Sequence, residues 1–257
     1  MKSYTLKSVM AIVAVALFVG GCKEETTPTP PAPSDPYADL YKIGDMPATG
    51  SGYNIALYLA EEAFMGYNYT IAVITDATTG AVVENAQVTY MPMMDMGMMQ
   101  HTSPVEQPNW DADIKGHKGA ITFIMPSTAG SWTVKVMAEN PSTMTMGEAT
   151  FPITVIDKPE TRMFSFVSAT DNAKIFVAYV QPMNPKVGLN EFEVVVYKKA
   201  SMMDFPAVSD LNITIDPEMP TMGHGSPNNV NPTSTDFGHY VGTVNFTMTG
   251  YWKINME

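Results

Sequence analysis

The sequence of 257 residues is poor in cysteine and in basic side chains. Cys22 is its one cysteine, which excludes an intrachain disulfide framework and a cysteine-rich zinc site. Lys and Arg together number 14 against 26 Asp and Glu, which gives a formal net charge of −12. So few cations offer no basic face to a phosphate backbone, so the composition argues against nucleic-acid binding.

The sequence patterns of common enzyme active sites are also missing. We find no Gly-x-Ser-x-Gly elbow, no His-Glu-x-x-His pair, no phosphate-binding Gly-Lys loop and no dinucleotide-binding glycine fingerprint. We therefore predict that the protein is not an enzyme. Methionine, in contrast, is abundant, with 22 residues. The positions of the methionines along the sequence indicate whether these side chains fill cores or bind a ligand.

Residues 1–21 have the pattern of a signal peptide. Lys2 and Lys7 precede an apolar run over 9–19 that is too short to span a membrane. The run ends in Leu17-Phe18-Val19-Gly20-Gly21-Cys22, which resembles the lipobox of bacterial lipoproteins. The resemblance implies cleavage before Cys22 and attachment of lipid to its thiol.

The residues after the cysteine point to a location. Lys23-Glu24-Glu25 is similar to the tag that directs some Gram-negative lipoproteins to the outer face of the outer membrane. We expect a lipid-anchored outer-membrane protein, at the cell surface or otherwise on the periplasmic face. Residues 22–50 are predicted to hold the lipidated cysteine and a semi-rigid, Pro-rich linker. Loss of Lys2 and Lys7 changes the net charge from −12 to −14, so the lipid and not the surface charge would hold the protein on the membrane.

Beyond residue 50 the chain alternates short β-rich runs with Gly, Pro, Asn and Asp and shows no helical periodicity. Twelve strands are predicted, at 53–59, 69–75, 87–90, 120–125, 132–138, 150–155, 164–169, 174–180, 191–197, 212–215, 239–248 and 251–255. This pattern predicts an all-β fold with two tandem sandwich domains, over 51–157 and 158–257.

The two halves share a series of motifs. Residues 87–101 run from a strand into a Met-rich loop that ends at His101, and residues 212–224 do the same and end at His224. Gly-His, Phe-x-Met and Gly-x-Trp then follow in each half, at 116–117, 123–125 and 130–132 and at 238–239, 246–248 and 250–252. All four histidines fall at matched places, which we interpret as a duplication. The strand-like piece at 150–155 has no clear counterpart in the second half.

This series of motifs resembles the YtkA-like domain, which is related to FixH-like proteins and would be present twice. The resemblance covers residues 53–140 and 175–257. It implies an immunoglobulin-like β-sandwich that is exported from the cytoplasm, and a role in handling copper or other heavy metals.

The methionines concentrate in the two loops. Thioether sulfur is a soft, uncharged ligand that suits Cu(I), whereas Zn, Mg and Ca prefer other donors, and it does not form disulfides in an oxidising envelope. Pro92 and Gly97 predict an irregular loop, and the histidines at the returning strands are expected to point back toward it. The predicted copper ligands are Met94, Met96, Met98, Met99, His101 and His117 in the first domain and Met219, Met222, His224 and His239 in the second.

These observations predict a lipoprotein that binds Cu(I) for capture, buffering or delivery, with an outer-membrane transporter or another copper-handling protein as partner. The alternative is a cell-surface interaction module whose Met-rich loop is a hydrophobic contact patch for a membrane transporter. A carbohydrate-binding domain has little support. Four residues near the loops are expected to be core side chains, namely Met125, Trp132, Met248 and Trp252.

Overall fold

A computed structural model of the protein describes residues 35–257. The predicted signal peptide, the predicted lipidation site Cys22 and the residues up to 34 lie outside the described residues. Residues 36–257 pack together as one unit. In this part of the chain, no helix is long and apolar enough to cross a membrane.

The first half consists of nine strands in two antiparallel sheets, whose orders are β1-β2-β3-β7-β6 and β5-β4-β8-β9. A short 3-10 turn at Ser127–Ala129 leads into β8. Buried and more exposed residues alternate along β4, β8 and β9, as a pleated strand with one face on a core requires. The strands are β1 (Tyr41–Ala48), β2 (Tyr53–Leu59), β3 (Gly66–Asp76), β4 (Gln87–Asp95), β5 (Gln100–His101), β6 (Val105–Asp111), β7 (Gly116–Phe123), β8 (Ser131–Asn140) and β9 (Thr145–Ile153).

The second half consists of eight strands in two antiparallel sheets, whose orders are β10-β11-β12-β16-β15 and β14-β13-β17. Its larger sheet has the same strand order along the chain as the larger sheet of the first half. The strands are β10 (Met163–Val167), β11 (Lys174–Gln181), β12 (Gly188–Lys198), β13 (Ile215–Met219), β14 (His224–Gly225), β15 (Val230–Ser234), β16 (His239–Phe246) and β17 (Lys253–Met256).

The predicted all-β fold is confirmed, since the four antiparallel sheets are consistent with two β-sandwich domains. The prediction of an irregular Met-rich loop is wrong in part, because β4 continues through this stretch to Asp95. The Pro92 carbonyl accepts a hydrogen bond from Thr102 Oγ1 at 2.7 Å. Because the nitrogen and carbonyl of a strand residue point to the same side, the Pro92 nitrogen also faces away from β8, and the β4–β8 ladder does not need the missing N–H.

Several strand boundaries also differ from the prediction, and two of them concern where a segment begins. Strand β1 lies in the range 22–50 that was predicted as linker, and it pairs with β2 from Tyr41 to Ala48, so the first sheet begins before residue 51. The strand predicted at 212–215 instead begins at Ile215. Gly44, Asp45 and Pro47 interrupt the first segment, and Asp216 and Pro217 interrupt the second, which weakens the strand pattern in the sequence.

One asparagine in each half makes the same set of three hydrogen bonds. Asn68 on β3 accepts a hydrogen bond from the N–H four residues earlier and donates to the carbonyls four and two residues earlier, at 2.8–3.1 Å. Asn190 on β12 makes the same three bonds at 2.7–2.9 Å. The two residues therefore define equivalent positions in the two larger sheets.

Each half has its own apolar core between its two sheets, and a further apolar cluster joins the halves. The joining cluster includes Tyr67, Ala120 and Ile124 from the first half. The second half contributes Met163, Phe176, Ala178, Val180, Val195, Tyr197 and Phe205. Burial of aromatic and aliphatic surface at this junction stabilises one arrangement of the two sandwiches.

A polar cluster lies next to this junction and is centred on the carboxylate of Glu106. Tyr67 Oη donates to it at 2.9 Å, Tyr197 Oη at 3.0 Å, and His239 Nε2 lies 2.7 Å from it. His239 Nδ1 lies 2.7 Å from Glu193 Oε1. Glu106 and Tyr67 belong to the first half and the other three residues to the second, so the cluster links the two.

Burial alone would lower the pKa of His239, but its hydrogen bonds and charge interactions with Glu106 and Glu193 outweigh burial and raise the pKa to about 9. Burial raises the pKa of Glu106, yet the hydrogen bonds and the charge of His239 lower it more, so the net shift is downward. Burial also raises the pKa of Tyr67 and Tyr197, which therefore remain hydrogen-bond donors. The cluster thus contains a protonated imidazole between two carboxylates.

The charge of His239 predicts a loss of stability at alkaline pH. Because its pKa rises from 6.5 to about 9 on folding, its contribution is fully present below pH 6.5 and is lost as pH rises through 9. We expect a loss of roughly 1–2 kcal/mol in the free energy of unfolding, less than the full pKa shift implies because the pair is partly exposed. Urea unfolding at a series of pH values measures this loss in the free energy of unfolding.

His239→Gln should abolish this alkaline loss, whereas the control His224→Gln should retain it. Equal pH dependence in the wild type and His239→Gln would contradict the assignment. Below pH 4.5 the sign is opposite, because the lowered pKa of Glu106 gives a contribution that is lost as pH falls.

Candidate metal centre

Met94 and His101 face each other across a hairpin formed by β4 and β5. The turn between them is closed by a hydrogen bond from the Met96 N–H to the Met99 carbonyl at 2.9 Å. Gly97 has a φ of 84°, which favours glycine, and its N–H donates to the Asp95 carboxylate at 2.7 Å. Directly opposite residues of an antiparallel pair project to the same face, so the thioether and the imidazole are neighbours.

The imidazole of His101 is 2% exposed and is satisfied on one side only. Its Nδ1 lies 2.8 Å from the Thr102 carbonyl, which places the proton of the neutral ring on Nδ1. Nε2 is buried and has no hydrogen-bond partner. Buried polar atoms are rarely left unpaired. A histidine that donates from Nδ1 to a carbonyl and keeps a free lone pair on Nε2 has the arrangement of a metal ligand.

Trp132 forms the wall beside this pair. It lies opposite Met94 on β8, and its ring meets the His101 ring edge-on with centroids 5.3 Å apart. Its Nε1 donates to the Met125 carbonyl at 2.9 Å, and Phe123 packs against it at 5.1 Å. The predicted core role of Trp132 is confirmed, and the indole also shields the Met–His pair from water.

The second half repeats this arrangement. Met219 on β13 lies opposite His224 on β14, and the rings of His224 and Trp252 meet edge-on at 5.7 Å. Trp252 Nε1 donates to the Met248 carbonyl at 3.1 Å. Gly223, with a φ of 62°, closes the turn by donating its N–H to the Met219 carbonyl at 2.9 Å.

The glycines of the Gly-x-Trp motifs have the same neighbour in both halves. A Cβ added to Gly130 would lie 3.0 Å from Met94 Cε, and one added to Gly250 would lie 2.5 Å from Met219 Cε. The thioether methyl therefore occupies the space that a side chain at either position would need. This contact gives the motif a physical reason that the sequence did not reveal.

The model of the YtkA-like family matches residues 169–257. Residues 169–257, which make up most of the second half, therefore form a YtkA-like domain. A comparison with curated proteins found no match, and a comparison with solved structures found none. The resemblance of residues 53–140 to the same family stays a prediction.

The two hairpins differ in access to solvent. Met94 and His101 are buried in the first half, whereas in the YtkA-like domain Met219 is buried and His224 is half-buried. The remaining predicted thioether donors surround the turns: Met96 is half-buried, Met98 is 99% exposed, and Met99 and Met222 are exposed. The first pair is thus enclosed beneath an exposed Met-rich turn, and the second is open on one side.

The structure does not bring His117 to the first hairpin, so the prediction that His117 is a ligand of that site is wrong. His117 begins β7 and Phe123, which touches Trp132, ends it. Six residues of strand separate the two, a distance of about 20 Å. His117 instead packs against Trp110 at 5.3 Å, and burial lowers its pKa.

The prediction that His239 is a metal ligand is also wrong. It begins β16, at the end of that strand opposite to Phe246, which touches Trp252. Its two ring nitrogens face the carboxylates of Glu106 and Glu193 rather than thioethers. The expectation that both returning histidines point to the methionines is therefore wrong, because each returns at the far end of its sandwich.

The available donor atoms limit which metal ions the two Met–His pairs can bind. Among residues 35–257, no group of three or more His, Cys, Asp or Glu side chains could hold a metal ion. A metal at either hairpin would therefore depend on thioether sulfur together with one imidazole. That donor set suits a soft monovalent ion and disfavours Zn, Mg and Ca.

The tautomer of His101 is a direct test of this geometry. We expect the neutral ring to carry its proton on Nδ1, because the Thr102 carbonyl accepts it while Nε2 has no partner. Long-range nitrogen–proton correlation spectra of the metal-free protein at alkaline pH should show this tautomer. A predominant Nε2–H tautomer would contradict the assignment of a free Nε2 lone pair.

Proposed function

We propose that the protein binds Cu(I) at two Met–His pairs, Met94 with His101 and Met219 with His224, and that it acts as a binding protein and not as an enzyme. The observation that carries the proposal is the buried, unpartnered Nε2 of His101 beside a buried thioether. Its repetition in the YtkA-like domain supports a selected arrangement, since both hairpins pair a methionine with a histidine although the second turn is shorter.

The ligands proposed for Cu(I) are the thioether sulfur and the imidazole nitrogen of each pair. Cu(I) favours such soft and borderline donors and needs few of them, and neither donor is consumed by oxidation to a disulfide. The indole of Trp132 shields the first site from water, and the indole of Trp252 borders the half-open second site. Trp is also the aromatic side chain with the strongest attraction for cations.

The two sites would serve different steps of capture and delivery. The enclosed Met94–His101 site would release its ion slowly, because the turn above it has to open. The half-open Met219–His224 site would exchange faster. The surface thioethers of Met98, Met99 and Met222 would provide the first contacts with an incoming ion. The negative net charge of the chain would attract cations in general without selecting copper.

Competition with a chromogenic Cu(I) chelator tests the proposal on the soluble protein, residues 23–257. We expect His101→Ala and Met94→Leu each to weaken Cu(I) binding at the first site at least tenfold. Met94→Leu nearly conserves volume and removes only the sulfur, so the fold should persist. Thermal unfolding of the metal-free variants checks that both remain folded.

His117→Ala is the matched control, since His117 is as buried as His101 and lies in the same half but away from the hairpin. It should leave Cu(I) affinity unchanged. The proposal is wrong if the His101 and His117 variants lose affinity equally, or if the wild type does not compete with the chelator.

The exposed tip of the first hairpin also supports a second candidate, an interaction surface for a membrane transporter. Met98 and Met99 both project into solvent at the turn. Leucine at both positions would keep a hydrophobic contact patch but remove two soft donors. Retained transfer of copper by the double variant would favour the contact surface, and slowed uptake would favour thioether capture.

We further propose that the first half is a second copy of the YtkA-like domain and that the chain is a lipoprotein of the outer membrane. The shared sheet order and the repeated Asn68 and Asn190 geometry support the first point. The lipobox-like sequence before Cys22 supports the second.

Replacement of the cysteine tests the lipid anchor. We expect Cys22→Ser to prevent acylation, because the serine hydroxyl does not replace the thiol that carries the lipid. The variant should lack incorporated radiolabelled palmitate and should fractionate away from the outer membrane. Equal labelling of the wild type and the variant would refute lipidation at Cys22.

A further inference from the structure

The two sandwiches differ by one strand. In the first half, β9 pairs with β8 along its whole length. It also reaches β1 through a bridge in which Thr49 and Glu148 exchange N–H···O bonds of 3.0 and 3.2 Å. In the YtkA-like domain β17 takes the place of β8, and no strand among the described residues pairs with its other edge. The edge of β17 that faces β10 is therefore unpaired.

A cleft lies where the missing strand would pack. It has a volume of about 760 Å3 and runs between β10, β11 and β17. Its apolar lining includes Phe164, Val177, Phe246, Trp252, Ile254 and Met256. An open apolar cleft of this size beside an unpaired strand edge is typical of a site for another chain.

The first half shows what fills the equivalent space. With Asn68 and Asn190 taken as equivalent, the strand registers place Phe166 at the position of Ala48. Ala48 is 4% exposed and packs against Gly147 of β9, whereas Phe166 is 44% exposed. The residues that β9 would cover are thus left exposed in the second half.

Strand β9 also defines the side chains that would fit. Every second residue from Gly147 to Ile153 is buried, and Phe151 is fully buried. Phe151 packs against β1, where a Cβ on Gly44 would lie 3.2 Å from its ring. A strand for the open cleft therefore needs apolar side chains at alternate positions, one of them a large aromatic ring.

The charges at the cleft specify the partner further. Arg162, Lys186 and Lys253 line it together with a single acidic residue, Glu160, in a chain whose net charge is −12. Arg162 forms no ion pair with any described residue, and its guanidinium lies over the Tyr179 ring at 5.3 Å. A free arginine at the rim favours a partner that carries carboxylates.

From these observations we infer that the YtkA-like domain binds an extended strand of another polypeptide. The strand pairs with the free edge of β17, inserts alternate apolar side chains into the cleft, and directs acidic side chains toward Arg162 and Lys186. Backbone hydrogen bonds supply affinity, and the alternate side chains supply specificity. This binding does not require copper, although the Trp252 side chain lines the cleft and also contacts His224 of the proposed second metal site.

A peptide with the sequence of β9 provides the probe. A fluorescent peptide of residues 145–155 (TMGEATFPITV) is added to metal-free protein, residues 23–257. We expect saturable 1:1 binding by fluorescence anisotropy, and slower hydrogen exchange at the amides of residues 253–256. The same peptide with Phe151→Asp should bind at least tenfold more weakly, because the cleft would have to bury a carboxylate.

Variants of the protein locate the binding. Phe164→Asp should weaken binding of the peptide at least tenfold because Phe164 lines the cleft, while Phe237→Asp should not, because Phe237 is 76% exposed and outside the cleft. No binding, or protection at 131–140 without protection at 253–256, would overturn the inference. Concentration-dependent protection of 253–256 without peptide would assign the cleft to a second copy of the chain and would also overturn it.

Discussion

Cross-strand pairing on β4 and β13 is the constraint on which both candidate metal sites depend. In each strand one buried methionine has a histidine opposite it on the hairpin side and a tryptophan on the sheet side. The alternation of a pleated strand decides which methionine turns inward, so Met94 is buried while its neighbour Met93 is only half-buried. The glycine before each tryptophan leaves room for the thioether methyl. Strand alternation, the opposite histidine, the neighbouring tryptophan and the glycine before it thus place two soft-donor pairs in equivalent positions.

Duplication of a motif did not duplicate the role of every residue. His101 and His224 keep the same partners in the two halves, but His117 and His239 do not. His117 lies buried against an indole, whereas His239 is a cation held between two carboxylates at the junction of the halves. The difference arises because Glu106 lies on β6 of the first half and packs at the junction against His239 of the second half. A position on a repeated fold therefore acquires its chemistry from what packs on it.

The halves also differ in completeness. The first sandwich closes its edge with β9 and encloses its Met–His pair, while the YtkA-like domain leaves an edge, a cleft and a half-buried histidine open. One closed domain next to one accessible domain is consistent with the proposed binding of Cu(I) and of another polypeptide strand. The apolar and polar contacts at the junction hold the two domains as one unit.

The sequence by itself determined the all-β class, the repeated motifs and the concentration of methionine beside His101 and His224, because strand periodicity and short motifs are local properties. It also indicated that the segment at 150–155 lacks a counterpart. It did not determine which histidines meet the methionines, since His117 and His239 are close to the loops along the chain but at the opposite end of a strand in space. Only the tertiary structure decided this, together with the orphaned Nε2, the charged junction and the open cleft. Each of these depends on which strands become neighbours, and pairing between distant segments leaves no local trace in the sequence.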